Sequence, residues 1–274
     1  MVPTIRSTSP RRYVSGHDTH QRELHLCRSS RGGMFDNVLI GVDGRAGGRD
    51  AIALAGRLSA PSASFTLAHV ECGPISWWEH QIGEERVFDR SASMLAAERE
   101  RAAIRAEIVC VGSTEPAQGL HDLAEERAAD LIVVGSSRHA SLGRVLLGDD
   151  ARASVDRAPC AIAIAPHGYA ERPVPLVDIG VGYDGSRESE YALVAARQLA
   201  SRSGARIRPL YEPPKQLSHM SSKLDLLIVG NRAHGSLGRP IHGSVARYLV
   251  GHAACPLLVL ARDAAHGGAA ARAA

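Results

Sequence analysis

The sequence predicts an α/β protein made of two copies of one doubly wound parallel sheet, the second copy shortened. Three observations carry this prediction. Short apolar runs alternate with stretches of helical spacing along most of the 274 residues. A pattern of glycines and a cysteine returns at a constant interval: Gly135 to Gly230, Gly143 to Gly238, Gly148 to Gly243 and Cys160 to Cys255 are each 95 residues apart. The acid that ends the first strand of each copy, Asp43 and then Asp184, returns instead after 141 residues. Self-similarity at a fixed period marks an internal duplication. The difference between the two intervals places a loss of 46 residues inside the second copy.

Composition agrees with this. An apolar share of 45% with only 4% aromatics implies a core of Ala, Val, Leu and Ile, which suits helices laid over a parallel sheet. The net charge of +3 is confined to the start of the chain: residues 1–33 carry six Arg against Asp18 and Glu23, and the other 241 residues sum to −1. That distribution speaks against nucleic acid as a partner of the folded body. The five cysteines are dispersed, with no CxxC and no nearby His cluster, as expected of buried thiols in a reducing compartment. No apolar run approaches the ~18–20 residues of a membrane helix. The leader also lacks the ~7–15-residue apolar stretch of a secretory signal. A cytoplasmic protein without a membrane partner is expected. Residues 1–33 read as a disordered basic leader that is not necessarily native, since Met34-Phe35-Asp36 stands where a natural start would.

Asn37 to Asp43 is an apolar run closing on an acid and a glycine turn, Gly44 to Gly48, and reads as a buried parallel strand. Asp50 to Ser59 has helical spacing and is stopped by Pro61. Phe65 to Val70 is a second strand. A loop with Trp77-Trp78 and a long Ala-, Arg- and Glu-rich helix run to Ile104. Ala106 to Val111 is a third strand, Pro116 to Ala129 a helix, and Asp130 to Gly135 a fourth strand. A glycine-bearing loop and a helix lead to the fifth strand, Cys160 to Ala165. Alternation of this kind implies right-handed crossovers and one parallel sheet, of flavodoxin/Rossmann-like order 3-2-1-4-5.

The unit then restarts. Val177 to Ser186 repeats the first strand and its acid, Ala205 to Tyr211 the second, Leu226 to Gly230 the fourth and Cys255 to Leu260 the fifth. The lost segment would have held the second helix, the third strand and most of the third helix. In this order the third strand lies at an edge, so its loss leaves strand 2 as the new edge, which Pro213-Pro214 and Lys215 would help to blunt. The expected domains are 34–167 and 174–262, joined by a linker at 168–173 and followed by an Ala-rich disordered tail at 263–274.

Ligands of doubly wound sheets sit beyond the carboxyl ends of the strands, where the winding reverses. Here that point lies between strands 1 and 4. Strand 1 delivers Asp43 or Asp184. Strand 4 delivers a glycine turn and a second glycine that opens a helix, whose free N–H groups favour phosphate. An acid for sugar or base and bare N–H groups for phosphate form a nucleotide site in outline. There is no G-x-G-x-x-G after strand 1 and no P-loop. His139 and His234 recur at matching positions and read as solvated loop residues. Cys160 and Cys255 read as buried packing. Trp77-Trp78 reads as a partly covered loop, an aromatic lid being the alternative. No nucleophile–base pair stands out.

The segments Gly135 to Gly148 and Gly230 to Ser244 resemble those of the universal stress protein family, and the resemblance extends over nearly all of 34–167 and 174–262. Its ATP-binding members carry G-2x-G-9x-G-S/T after strand 4 and an Asp after strand 1. The first copy matches at Gly135 and Gly148 but has Arg138 and Asp149 at the other two positions. The second matches at Gly230, Gly243 and Ser244 and departs at Ala233. An acid at the helix start, as at Asp149, opposes a phosphate there. Each copy therefore keeps a different part of the motif. The resemblance implies regulatory binding of ATP or AMP, with or without Mg, with little or no turnover. The implied site residues are Val42, Asp43, Val70, Gly135, Arg138 and Gly148, with Asp184, Gly230, Ala233, Gly243, Ser244 and Val245 in the second copy. It also implies pairing of the two fifth strands within one chain, with a homodimer as a further assembly. The alternative is an interaction module of the same fold that binds no nucleotide.

Overall fold

Aliphatic runs become strands buried on both faces, and the stretches of helical period become the layers that bury them. The computed structural model describes residues 12–13, 34–73, 84–137, 139–147, 155, 158–231 and 245–261. The first unit comprises β2 (Asn37–Gly41), α1 (Ala46–Leu58), β3 (Ser64–Cys72), α2 (Glu84–Arg101), β4 (Ala106–Ser113), α3 (Pro116–Glu126), β5 (Leu131–Gly135) and β6 (Ala161–Ala165). The second comprises β7 (Asp178–Gly182), α4 (Arg187–Ser203), β8 (Arg206–Leu210), α5 (Pro214–Ser221), β9 (Leu226–Gly230), α6 (Val245–Leu249) and β10 (Leu257–Leu260). Ahead of both, Arg12–Tyr13 (β1) pairs antiparallel with Val111 and Cys110 of β4. The rest of the leader, the Trp77-Trp78 loop, His234 and the tail beyond Ala261 lie outside the described residues.

All strands join one sheet of order β1-β4-β3-β2-β5-β6-β10-β9-β7-β8. Residues 37–165 give 3-2-1-4-5 by parallel pairing. The second unit gives 2-1-4-5. The two fifth strands meet antiparallel, Leu257 opposite Ile164, Leu258 opposite Ala163 and Val259 opposite Ile162. Side chains alternate faces along a strand, so β6 sends Ala161, Ala163 and Ala165 into one core and Ile162 and Ile164 into the other. Both cores run across the seam: the first joins Val38 and Leu131 to Ile179 and Leu258, the second joins Leu39 and Ile132 to Leu227 and Val259.

Three local differences from the sequence reading have physical causes. The first helix begins at Ala46 instead of Asp50. Gly47 and Gly48 belong to its first turn because the helix start presses on the strand ends: a Cβ on Gly48 would stand 3.0 Å from Val42 Cγ1, and one on Gly47 2.8 Å from the Ser136 carbonyl oxygen. The loss in the second unit is also narrower on its C-terminal side than the intervals suggest. No third strand forms there, but Pro214–Ser221 still makes eight residues of helix, with proline in the first turn where its missing N–H is harmless. Leu217 gives it a buried anchor. Finally, Cys72 is exposed, whereas Cys110, Cys160 and Cys255 are buried.

Matched carboxylates tie strand starts together in both units. Asp130 accepts from the Asp36 amide at 2.7 Å and the Asn37 amide at 3.2 Å. Asp225, 95 residues on, accepts from the Val177 and Asp178 amides at 2.9 and 2.8 Å. Burial pushes the Asp130 carboxyl up, against the pull of those amides. Truncation strands the amides, so Asp130→Ala and Asp225→Ala should each lower unfolding free energy by about 1–3 kcal/mol, read as a fall in urea midpoint with an unchanged slope. Burial also raises the Cys110 thiol to about 11 and the Cys160 thiol to about 12, and raises that of Cys255. These thiols stay protonated in the fold after an unfolded chain would have ionised, so their contribution is intact below pH ~9 and is lost as pH rises toward the folded values. Iodoacetamide at pH 8 under native conditions should label Cys72 ahead of those three, as peptide mass spectrometry would show. Equal labelling of Cys160 would contradict the burial.

Candidate functional site

The carboxyl ends of β2, β3 and β5 open into a cleft of about 500 Å³. Val42, Asp43, Val70 and Gly135 all line it, so four of the residues expected from sequence come together at the reversal of winding. Its floor is apolar, with Ala68, Leu120, Ile132 and Val134. Polar groups enter from the rim: Arg45, His69, His121, Ser136, Ser137 and His167.

Asp43 is exposed. Its carboxylate accepts from the Arg45 amide at 3.0 Å, across Gly44 at φ +73°. Asp184 makes the same turn, accepting from the Ser186 amide at 3.0 Å and the Ser186 hydroxyl at 2.5 Å, across Gly185 at φ +78°. Each acid thus has a fixed orientation while still facing solvent. Gly135 serves a purpose the sequence does not reveal. A Cβ there would lie 1.9 Å from the Gly47 carbonyl oxygen, so the glycine admits the start of α1. Gly230 does the same for α4, where a Cβ would meet Glu188 Cβ and its carbonyl oxygen at 2.6 Å.

The two units differ at the equivalent surface. Tyr183 takes the place of Val42 after the first strand, and its ring meets Tyr211 edge-on at 5.3 Å between centroids. Its hydroxyl donates to Glu190, and this bond is the main reason the phenol is raised. Glu188 stands where the first unit has Gly47. Val245 is half-buried at the start of α6. Arg138, Gly148, Ala233, Gly243 and Ser244 lie outside the described residues; of the expected residues within them, Val42, Asp43, Val70 and Gly135 line the cleft described above.

Several functional groups of the cleft carry no sequence signal. His69 Nδ1 donates to the Val42 carbonyl at 2.7 Å, and its Nε2 lies 3.5 Å from Glu71. Glu71 accepts from the hydroxyl of buried Ser91 on α2. Ser136 is buried, donates to the Ala165 carbonyl at 2.7 Å and accepts from the Leu146 amide at 3.2 Å. Asn231 stands 95 residues later and repeats the backbone bond, its amide donating to Leu260 at 3.0 Å as that of Ser136 donates to Ala165. That interval could have flagged Ser136, but the change from Ser to Asn hides it. His139 is exposed, its Nδ1 3.4 Å from the Ser137 hydroxyl. Among the described residues, no cluster of His, Cys, Asp and Glu is arranged to hold a metal ion. Nor is any helix there long and apolar enough to cross a membrane.

Comparison with known proteins bears on the family through sequence and on the fold through solved structures. A curated universal stress protein of Mycobacterium tuberculosis, Rv2005c, is 29% identical over 228 residues, covering 77% of this chain and 75% of its own. The crystal structure of a universal stress protein from Archaeoglobus fulgidus superposes with a TM-score of 0.59 at 16% identity, over 83% of this chain and 96% of that one. A functionally unknown protein of Pseudomonas aeruginosa, PA1789, superposes with a TM-score of 0.54 at 14% identity, over 85% and 95%. The sequence model of the universal stress protein family matches twice, at residues 34–166 and 217–261. The chain belongs to the universal stress protein family.

Proposed function

We propose that this is a cytoplasmic regulatory protein whose first unit binds an adenine nucleotide, ATP or AMP with or without Mg, with little or no turnover. One observation carries the reading: Val42, Asp43, Val70 and Gly135, separated by up to 93 residues in sequence, line a single cleft of about 500 Å³. That volume is within the ~300–1,000 Å³ of small-molecule sites. An apolar floor between Val42, Val70 and Leu120 suits a flat base. Asp43 at the mouth can accept from a ribose hydroxyl or a base amine, and Ser136 and Ser137, which follow β5, offer polar groups beside Gly135. Limited turnover is favoured because His69 is engaged at both ring nitrogens and the Ser136 hydroxyl is held by a carbonyl.

The other reading, a surface for interaction without ligand, suits the second unit. Tyr183 and Glu188 stand there at the positions of Val42 and Gly47, the Tyr183 ring against Tyr211, and the antiparallel pairing of β6 and β10 makes the unit an internal partner of the first.

Titration calorimetry of the full chain with ATP and with AMP should reveal one site. Asp43→Ala should weaken it about tenfold, or about 1.4 kcal/mol. Val42→Tyr, which installs the second unit's side chain, should abolish it, and Asp184→Ala should leave it unchanged. No heat at millimolar nucleotide would make the interaction reading correct for the whole chain. Phosphate release from ATP that Asp43→Ala abolishes would overturn the absence of turnover.

A further inference from the structure

We propose that the shortened second unit buttresses the cleft of the first, with Ser218 and Ser221 of α5 as positioning residues for the cleft's loop. The ligand part of this rests on the nucleotide reading above. The buttress itself rests on a continuous chain of hydrogen bonds.

The cleft wall after β5 includes Ser136, Ser137 and Leu147, and the loop residues described between them are 139–146. On its near side the loop is pinned to its own unit: Ser137 donates to the Leu146 carbonyl at 2.7 Å, and Leu146 to the Ser136 hydroxyl at 3.2 Å. On its far side its bonds go to the other unit. The Val145 amide donates to the Ala253 carbonyl at 2.9 Å and the Leu147 amide to the Val250 carbonyl at 3.3 Å. Arg144 Nη1 donates to the His252 carbonyl at 3.1 Å. Placement of Val145 and Leu147 in the wall therefore depends on the turn at 250–254, while Gly143 and Arg144 are also tied to His167 of the first unit.

That turn is held from behind by α5. The Ser218 hydroxyl donates to the His252 carbonyl at 2.8 Å, so one oxygen receives Arg144 from the first unit and Ser218 from the second. The Ala254 amide donates to the Ser221 hydroxyl at 2.8 Å, and Ser221 donates in turn to the Ser218 carbonyl at 2.6 Å. Both serines are buried, where an unmet partner is costly. The Ser218 bond is particular to this unit: 95 residues earlier, α3 carries Leu123 at the corresponding position, and leucine has no hydrogen-bonding side chain. This gives a reason for α5 to survive a loss that removed the strand before it.

The test uses the full chain carrying Ser218→Ala with Ser221→Ala, followed by site-resolved hydrogen exchange and titration with ATP. Exchange at the Val145 and Leu147 amides should quicken about tenfold, while the Ile40 and Val133 amides of the central strands keep their protection. The dissociation constant for ATP should rise several-fold. Ser218→Thr, which retains the hydroxyl, should restore both. A role limited to stabilising α5 would leave Val145 and Leu147 protected, and that result overturns the proposal even if the melting temperature falls. Should the double variant fail to fold, Arg144→Ala breaks the exposed end of the chain, and unchanged exchange at Val145 there is equally fatal. If the parent protein takes up no ATP, the nucleotide reading fails while the exchange data still decide the buttress.

Discussion

Everything else in this chain hangs on the antiparallel seam between β6 and β10. Three facing pairs, centred on Ala163 and Leu258, join two parallel half-sheets into one. Because strand side chains alternate, this single contact fuses both cores at once, alanines of β6 meeting Leu258 and Leu260 on one face and isoleucines meeting Leu257 and Val259 on the other. A half-sheet of four short strands with three helices, two of them of eight residues or fewer, buries little apolar surface alone. Fused, it shares the core of its neighbour. Asp50 on α1 adds a polar clasp, accepting from the Gly168 amide at 2.9 Å and the Ala170 amide at 2.7 Å, which fixes the connection between the units.

The seam also explains where the second unit could lose residues. Strand order places the first unit's third strand, β4, farther from the seam than the other four strands of that unit, so loss of its counterpart in the second unit leaves the seam untouched and makes β8 the edge. That edge carries Arg206, Arg208 and Pro209. The two arginines pair with Asp178 at 2.9 and 3.1 Å, and the proline cannot donate to an incoming strand. The cost shows on the helix side. Ile52 of α1 is 7% exposed beneath α2, whereas its counterpart Leu193 is only half-buried and Tyr211, beyond the end of β8, is 73% exposed.

The duplication, the strand order and the four cleft residues of the first unit were legible because each leaves a mark in one dimension. Buried parallel strands are continuous apolar runs, and a duplicated glycine keeps its interval. The rest depended on contacts between segments distant in sequence. Nothing near Gly135 announces that it meets Gly47, and nothing near Ser218 announces His252. The early start of α1 was hidden because Gly47 and Gly48 read as turn formers, although close packing against β5 and Val42 makes them the residues the helix start requires. Cys72 reads like the other cysteines, but it falls at the outer end of β3, past the reach of the core.

The same distinction governs how the two sites should be compared. Motif matching ranks the second unit above the first, since only Ala233 departs from the family pattern there. The described geometry differs in the other direction. Val42, Asp43, Val70 and Gly135 line a cleft in the first unit, whereas in the second Tyr183 stands at the position of Val42, its ring against Tyr211, and Glu188 at the position of Gly47. The copy that retains more of the motif is therefore the one with bulkier residues at two positions that line the first unit's cleft, and the copy whose sequence departs at Arg138 and Asp149 is the one with the described cleft. Part of that cleft's wall is held by hydrogen bonds from the second unit, Val145 to Ala253 and Leu147 to Val250. The shortened copy thus keeps the seam, the turn at 250–254 that meets its neighbour and α5 behind that turn, and lacks a third strand, which in the first unit lies away from the seam.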